Sequence, residues 1–228
     1  VHCIITPNRK QTERWLRFRG RIGLSMSEDR IKLDTGTVLP ENLIITEEFK
    51  ELNNQIENSS DNIFITGKAG SGKSTLLEYF RQNTVKNYVI LGYTGITALK
   101  ARGKTIHSFF KFPPRLIDNK DIKILRDQQL VKELDTILID EASLVRADLL
   151  DAINKSLKKN RKSKDPFGGV QIILIGDLFQ LPPIVGAAER QFFEKMYKGP
   201  YFFNSKIFKK ADVKTYELTI SFRQSDEK

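Results

Sequence analysis

The sequence predicts an α/β domain, a parallel sheet flanked by helices with a small β-rich extension ahead of it, and three observations predict it. From residue 44 onward, short apolar runs alternate with helical periodicity, the pattern of parallel strands joined by right-handed crossovers. A glycine-rich loop separates the first of those runs from the helix that follows. The composition, 39% hydrophobic and 29% charged over 228 residues, suits one packed domain and excludes disorder over the whole chain.

Residues 1–43 form the extension. Residues 15–22 alternate apolar and basic, as an exposed strand does, and Asp34, Thr35 and Gly36 read as a turn. It reads as a strand pair attached to the domain edge or the remnant of a neighbouring domain, with a nucleic-acid-facing hairpin as the alternative, and the sequence assigns it no function. Residues 44–228 make the main domain. Thr46 caps a helix whose Phe49, Leu52 and Ile56 share one face. Residues 62–66 read as a buried strand, followed by the glycine loop and a helix ending near Asn83. Residues 88–92, 136–140 and 170–175 are three more β-rich runs. Between the last two, Leu149, Leu150, Ile153 and Leu157 mark an amphipathic helix. Residues 158–169, basic and bearing Pro and Gly, read as a solvated surface connection within reach of phosphate.

The loop itself is Gly67-Lys68-Ala69-Gly70-Ser71-Gly72-Lys73-Ser74, with Thr75 next on the helix. Glycines at that spacing let backbone N–H groups curl around phosphates, and the helix adds its positive N-terminal end. Lys73 reaches the β- and γ-phosphates, and the Ser74 hydroxyl suits Mg²⁺. A nucleotide site needs a second anchor at a strand end, and Ile137-Leu138-Ile139-Asp140-Glu141 supplies it. Asp140 would hold Mg²⁺ through its water shell, and Glu141 would polarise an attacking water. Position 143 is Ser, so the Asp-x-x-Gly of a GTPase is missing. Asn119-Lys120-Asp121-Ile122 fails as a guanine reader at its last place, which favours ATP over GTP.

The formal net charge of +10, from 38 Lys plus Arg against 28 Asp plus Glu, invites nucleic acid as a partner, with solvated lysine-rich faces as the plainer explanation. Cys3 is the only cysteine and there are two histidines, so a zinc site on paired cysteines is excluded and a metal would take oxygen ligands. No apolar run approaches the ~20 residues of a membrane span. The compartment expected is intracellular: cytoplasmic in a bacterium, nuclear or mitochondrial in a eukaryote.

Four further segments carry a resemblance. The stretch Tyr93-Thr94-Gly95-Ile96-Thr97-Ala98, continuing to Gly103-Lys104-Thr105-Ile106-His107-Ser108-Phe109-Phe110, resembles motif Ia of PIF/RecD-like superfamily-one DNA helicases. Asp140-Glu141-Ala142-Ser143 is similar to their motif II, and Gly176-Asp177-Leu178-Phe179-Gln180-Leu181-Pro182-Pro183 to their motif III. Leu218 through Arg223 and Gln224 resembles motif IV. The resemblance covers about residues 44–226. It implies a RecA-like P-loop domain, the ATP-hydrolysing first motor of a DNA helicase, with roles in DNA repair, replication and telomere maintenance.

Residue by residue, the resemblance implies that Gln180 senses the γ-phosphate and couples it to DNA, and that Arg223 stabilises charge on the transferring phosphoryl group. Thr94, Gly95, Thr105, His107, Ser108 and Phe109 would face single-stranded DNA, hydroxyls on phosphates and rings against bases. The chain departs from the pattern in carrying Phe49-Lys50 where the family has an adenine-reading Gln, and Tyr93 where it has Pro. It opens on Val1 and ends at Lys228, so a fragment is expected, acting as a monomer with a second motor domain in the full-length protein. Two other readings of the phosphate loop stay open: a regulatory ATP-binding module working through a protein partner, and a small-molecule kinase.

Overall fold

The computed structural model describes residues 45–219. The expected extension over 1–43 and Arg223 therefore lie outside the described residues. Six strands form one sheet: β1 (Ile63–Gly67), β2 (Tyr88–Gly92), β3 (Lys104–Thr105), β4 (Thr136–Asp140), β5 (Gln171–Ile175) and β6 (Lys214–Leu218). Their order is β3-β2-β4-β5-β1-β6, and every pairing is parallel. All strands therefore end on the same edge of the sheet, where ligands of open α/β sheets bind. Strand β5 lies between β1 and β4, so the glycine loop and the acidic strand end are next-but-one neighbours.

Seven α-helices accompany the strands among the described residues: α1 (Glu47–Asn58), α2 (Lys73–Asn83), α3 (Gly95–Lys100), α4 (Ile106–Phe110), α5 (Gln128–Glu133), α6 (Ala147–Arg161) and α7 (Ala187–Tyr197). The four inner strands, β1, β2, β4 and β5, are apolar on both faces, as parallel strands covered on both sides must be. Ile63, Ile65, Ile90, Leu138, Ile173 and Ile175 pack with Phe49, Leu52 and Ile56 of α1 and Leu76, Leu77 and Phe80 of α2. The alternate residues Phe64, Val89, Leu91, Ile137, Ile139, Ile172 and Leu174 pack with Leu149, Leu150, Ile153 and Leu157 of α6. Each such side chain contributes about 1.5–3 kcal/mol by leaving water. The Thr46 cap is present, its hydroxyl accepting from the Phe49 N–H.

Two strands were not foreseen. β3 has only two residues, and β6 (KTYEL) is mostly exposed. Both lie at the sheet's edges, where apolar continuity is not required. The basic segment 158–169 is also more built than a solvated connection. Helix α6 runs through its first turn, and Phe167 is fully buried. The Arg161 guanidinium donates to the carbonyls of Val131, Lys132 and Leu134 at 2.6, 3.0 and 3.0 Å and to Gly168 at 2.8 Å. No helix of the described residues is long and apolar enough to cross a membrane.

Candidate functional site

The loop after β1 turns into α2 through Gly70 and Gly72, at φ 84° and 87°, left-handed conformations that L side chains rarely adopt. This turn leaves the first amides of α2 without side-chain caps, free to meet an anion. The Lys73 ammonium lies over the loop, donating to the carbonyls of Gly67 at 2.6 Å and Lys68 at 3.0 Å. Ser71 is buried, and its hydroxyl has no partner among the described residues. Ser74 is exposed at the start of α2.

At the end of β4, Asp140 accepts a hydrogen bond from the Glu141 N–H at 2.9 Å. Glu141 sits at φ 52°, a strained conformation for a residue with a side chain, of the kind that collects at functional sites. Burial raises the carboxyl pKa of both residues, and Asp140 raises that of Glu141 further. Lys73 and Lys100 pull both down, while Asp177 adds to the rise of Glu141. The loop lysine and the two carboxylates thus share one electrostatic environment. Lys100, the last residue of α3, had no signal in the sequence beyond its charge.

The segment after β5 closes the site. A Cβ on Gly176 would stand 2.9 Å from the Ser143 amide nitrogen and 3.0 Å from that of Ala142, so only glycine lets β5 exit against the turn that follows Glu141. Buried Asp177 accepts from the Phe179 N–H at 3.0 Å and from the Gln180 side-chain amide at 3.2 Å. Gln180 is thereby oriented by a residue that sequence reasoning quoted but gave no role. Phe179 beside it is 91% exposed, with Leu181 and Ile184 also exposed.

The loops after β2 and β3 sit on the same edge. The Thr94 hydroxyl caps α3 by accepting from the Thr97 N–H at 3.1 Å, and the Thr97 hydroxyl returns the contact to the Thr94 N–H at 3.0 Å. Thr105 caps α4 through the Ser108 N–H at 3.1 Å. A hydroxyl that accepts from an amide keeps its own proton to donate, so capping leaves Thr105 able to meet a phosphate oxygen. Gly95 and Ser108 are exposed, and a Cβ on Gly95 would meet open space. His107 is half-buried, edge-on to Tyr93 with ring centroids 5.9 Å apart. Burial and the nearby Arg146 lower its pKa, partly offset by Asp148, and the net shift favours the neutral ring.

The expectation that the Phe109 ring stands open to a base is corrected. Phe109 is 9% exposed, edge-to-face with Phe110 at 4.9 Å, and both belong to the core under α4. The wholly exposed ring on this edge is Phe179, which adjacent phenylalanines in the sequence gave no reason to prefer. A further group missed by sequence is Arg146, buried between Asp148 (2.9 and 2.7 Å), Glu189 (3.4 Å) and the face of Phe193 (5.2 Å).

The arrangement offers oxygen donors for a hard cation, Ser74 and Asp140, beside a loop built for phosphates, and so fits a magnesium nucleotide. No cluster of three His, Cys, Asp or Glu residues able to hold a metal occurs among the described residues. Residues 44–228 match the sequence profile of PIF1-like helicases. The chain is 34% identical over 199 residues to the ATP-dependent DNA helicase RRM3 of Saccharomyces cerevisiae, covering 82% of this chain and 26% of that protein. It superposes on crystallised Bacteroides Pif1 bound to single-stranded DNA with a TM-score of 0.75 at 41% identity, over 81% of this chain and 44% of the other. The Bacteroides Pif1 complex with ADP-AlF4 gives a TM-score of 0.73 at 40% identity, with 81% and 44% covered. The chain thus spans about a quarter of that curated relative and less than half of the crystallised chains.

Proposed function

The chain belongs to the PIF1-like helicase family, and from that premise we propose that it is the first motor domain of an ATP-dependent DNA helicase, hydrolysing ATP and binding single-stranded DNA. The observation that carries this reading is the convergence of Lys73, Asp140, Glu141 and Asp177 on the edge where the glycine loop opens. The loop amides from Gly67 to Gly72 and the first turn of α2, with Ser74 and Thr75, cradle the phosphates. Lys73 exchanges its two loop carbonyls for β- and γ-phosphate oxygens. Ser74 and Asp140 would hold a magnesium ion, which would supply positive charge to the phosphates.

Glu141 accepts a hydrogen bond from a water and aligns it with the γ-phosphorus. Water oxygen bonds to phosphorus as the bond to the β-γ bridging oxygen breaks and the water's proton passes to the Glu141 carboxylate, yielding ADP and inorganic phosphate. A raised carboxyl pKa fits this role, because it brings the base nearer to working pH. Gln180, steadied by Asp177, reports the presence of the γ-phosphate to the segment 179–184 and so to DNA. Arg223 meets charge on the transferring group. Single-stranded DNA lies along the edge formed by Thr94, Gly95, Thr105, His107 and Ser108, with Phe179 in the stacking role first expected of Phe109. A second motor domain of the full-length protein completes the groove of a monomer.

The test is a pair of variants in the full-length protein. Lys73→Ala should lose nucleotide binding by titration calorimetry, whereas Glu141→Gln should keep it and lose turnover. Retained ATP affinity in Lys73→Ala would remove the phosphate-loop assignment.

A further inference from the structure

Most of the net charge gathers far from the nucleotide edge. Residues 119–133 and 154–165 hold ten basic side chains (Lys120, Lys123, Arg126, Lys132, Lys155, Lys158, Lys159, Arg161, Lys162 and Lys164) against four acidic ones. That surplus accounts for more than half of the chain's +10. All four acids are engaged: Asp121 is held by Arg115 at 2.8 Å, Asp127 caps α5 through the Leu130 N–H at 2.9 Å, Glu133 accepts from the Gln129 side-chain amide at 2.7 Å, and Asp165 accepts from the Ser163 hydroxyl at 2.9 Å.

The two stretches form one surface. Lys159 donates to the Ile122 carbonyl at 2.6 Å, Lys155 to Asn119 at 2.8 Å, and Asn160 to the Lys123 carbonyl at 3.1 Å. The guanidinium of Arg161 locks the carbonyl end of α5 beneath it. Lys123, Arg126, Lys132, Lys162 and Lys164 are exposed on this frame. Helix α6 begins near the end of β4 and leads back to the start of β5. Its 15 residues span about 22 Å, which carries the basic end to the opposite edge of the sheet from the phosphate loop.

We infer that this α5–α6 surface is a second nucleic-acid site, one that grips the phosphate backbone of a DNA duplex without reading its sequence. The occupant follows from what the surface lacks. Single-strand sites pair a basic groove with aromatic rings on which bases stack. Neither stretch contains an aromatic residue, so only backbone charge can be met. Lysines fixed on one rigid frame match the dense, regular charge of a duplex, whose binding is driven by release of its counterions. The distance from Thr94 and Ser108 makes this a grip on a different segment of nucleic acid from the strand at the nucleotide edge.

The experiment uses the 228-residue chain without nucleotide and a fluorescein-labelled blunt duplex, with anisotropy followed across about 50–200 mM salt. The variant Lys132→Glu/Lys162→Glu/Lys164→Glu should weaken duplex binding at least about tenfold and lower the log–log salt slope by about two to three, at ~0.9 per phosphate contact. Its affinity for oligothymidine and for ADP should be unchanged, which keeps this outcome apart from any failure of the motor reading. A control, Lys195→Glu/Lys198→Glu/Lys209→Glu, makes the same change in net charge on another surface and should do little. An unchanged slope in the first trio, or an equal loss in the control, would overturn the site. So would loss of binding to phosphatidylserine vesicles with duplex affinity intact, since that assigns the face to a membrane. If the first trio lowers the melting temperature, the three single Lys→Gln variants decide, each expected to lower the slope by about 0.9.

Discussion

The side-chain amide of Gln180 donates to the buried Asp177 carboxylate at 3.2 Å, three residues back along the same turn. Asp177 also receives the Phe179 N–H at 3.0 Å, so one carboxylate holds both the glutamine and the exposed phenylalanine in place. In Asp177→Asn the remaining oxygen can serve only one of those donors. A hydrogen bond to a charged acceptor is worth about 1.5–3 kcal/mol. Turnover of the full-length enzyme should fall by roughly tenfold or more, with nucleotide affinity retained by calorimetry. Equal loss of both would make Asp177 a purely structural residue.

The strained, half-buried Glu141 carries a stability signature. Its carboxyl titrates above the unfolded value because burial and Asp140 disfavour the charge. The folded state therefore holds its proton longer than the unfolded chain, and stability falls as pH rises from the ordinary carboxylate range through the folded value. Above the folded value the penalty is present in full. Glu141→Gln should raise the melting temperature at about pH 7, and the gain should shrink as pH falls and vanish below the ordinary carboxylate range, at about pH 3, where both states are protonated. Scanning fluorimetry across that range checks it; a gain independent of pH would point to packing instead.

Phe109 and Phe179 should separate cleanly. Phe109→Ala empties a core position and should destabilise by about 3–5 kcal/mol in urea unfolding. Phe179→Ala removes a solvent-facing ring and should leave stability unchanged while weakening oligothymidine binding by about 1–3 kcal/mol. The reverse pattern, read by anisotropy beside unfolding, would restore Phe109 to the DNA surface.

Arg146 joins the first turn of α6, through Asp148, to α7, through Glu189. Arg146→Met should destabilise by about 3–5 kcal/mol, because Asp148, 4% exposed, is left buried without its counter-charge. Arg146→Met/Asp148→Leu should recover most of that loss, since an apolar pair leaves no buried charge. Urea unfolding of the single and double variants measures the difference, and no recovery would show that the stability comes from Phe193 and Glu189.

Local pattern carried the elements whose requirements are local. The loop from Gly67 to Ser74 declares itself because each residue is demanded by backbone curvature or by phosphate, and β1, β2, β4 and β5 are apolar because helices cover both their faces. Asp140 and Glu141 were legible for the same reason, as charges ending a run that cannot otherwise hold them. What sequence could not decide were questions of who lies beside whom. Phe109 and Phe110 are alike as letters, and only the packing of α4 buries both. Edge strand β6 has no apolar continuity because, among the described residues, one side of it has no partner strand. Arg161 and Lys162 are neighbours in one basic run, yet one is tied to four carbonyls and the other is exposed. Tertiary structure alone made that choice, because the carbonyls of Val131 to Leu134 approach α6 only when the chain has folded back to bring α5 alongside it.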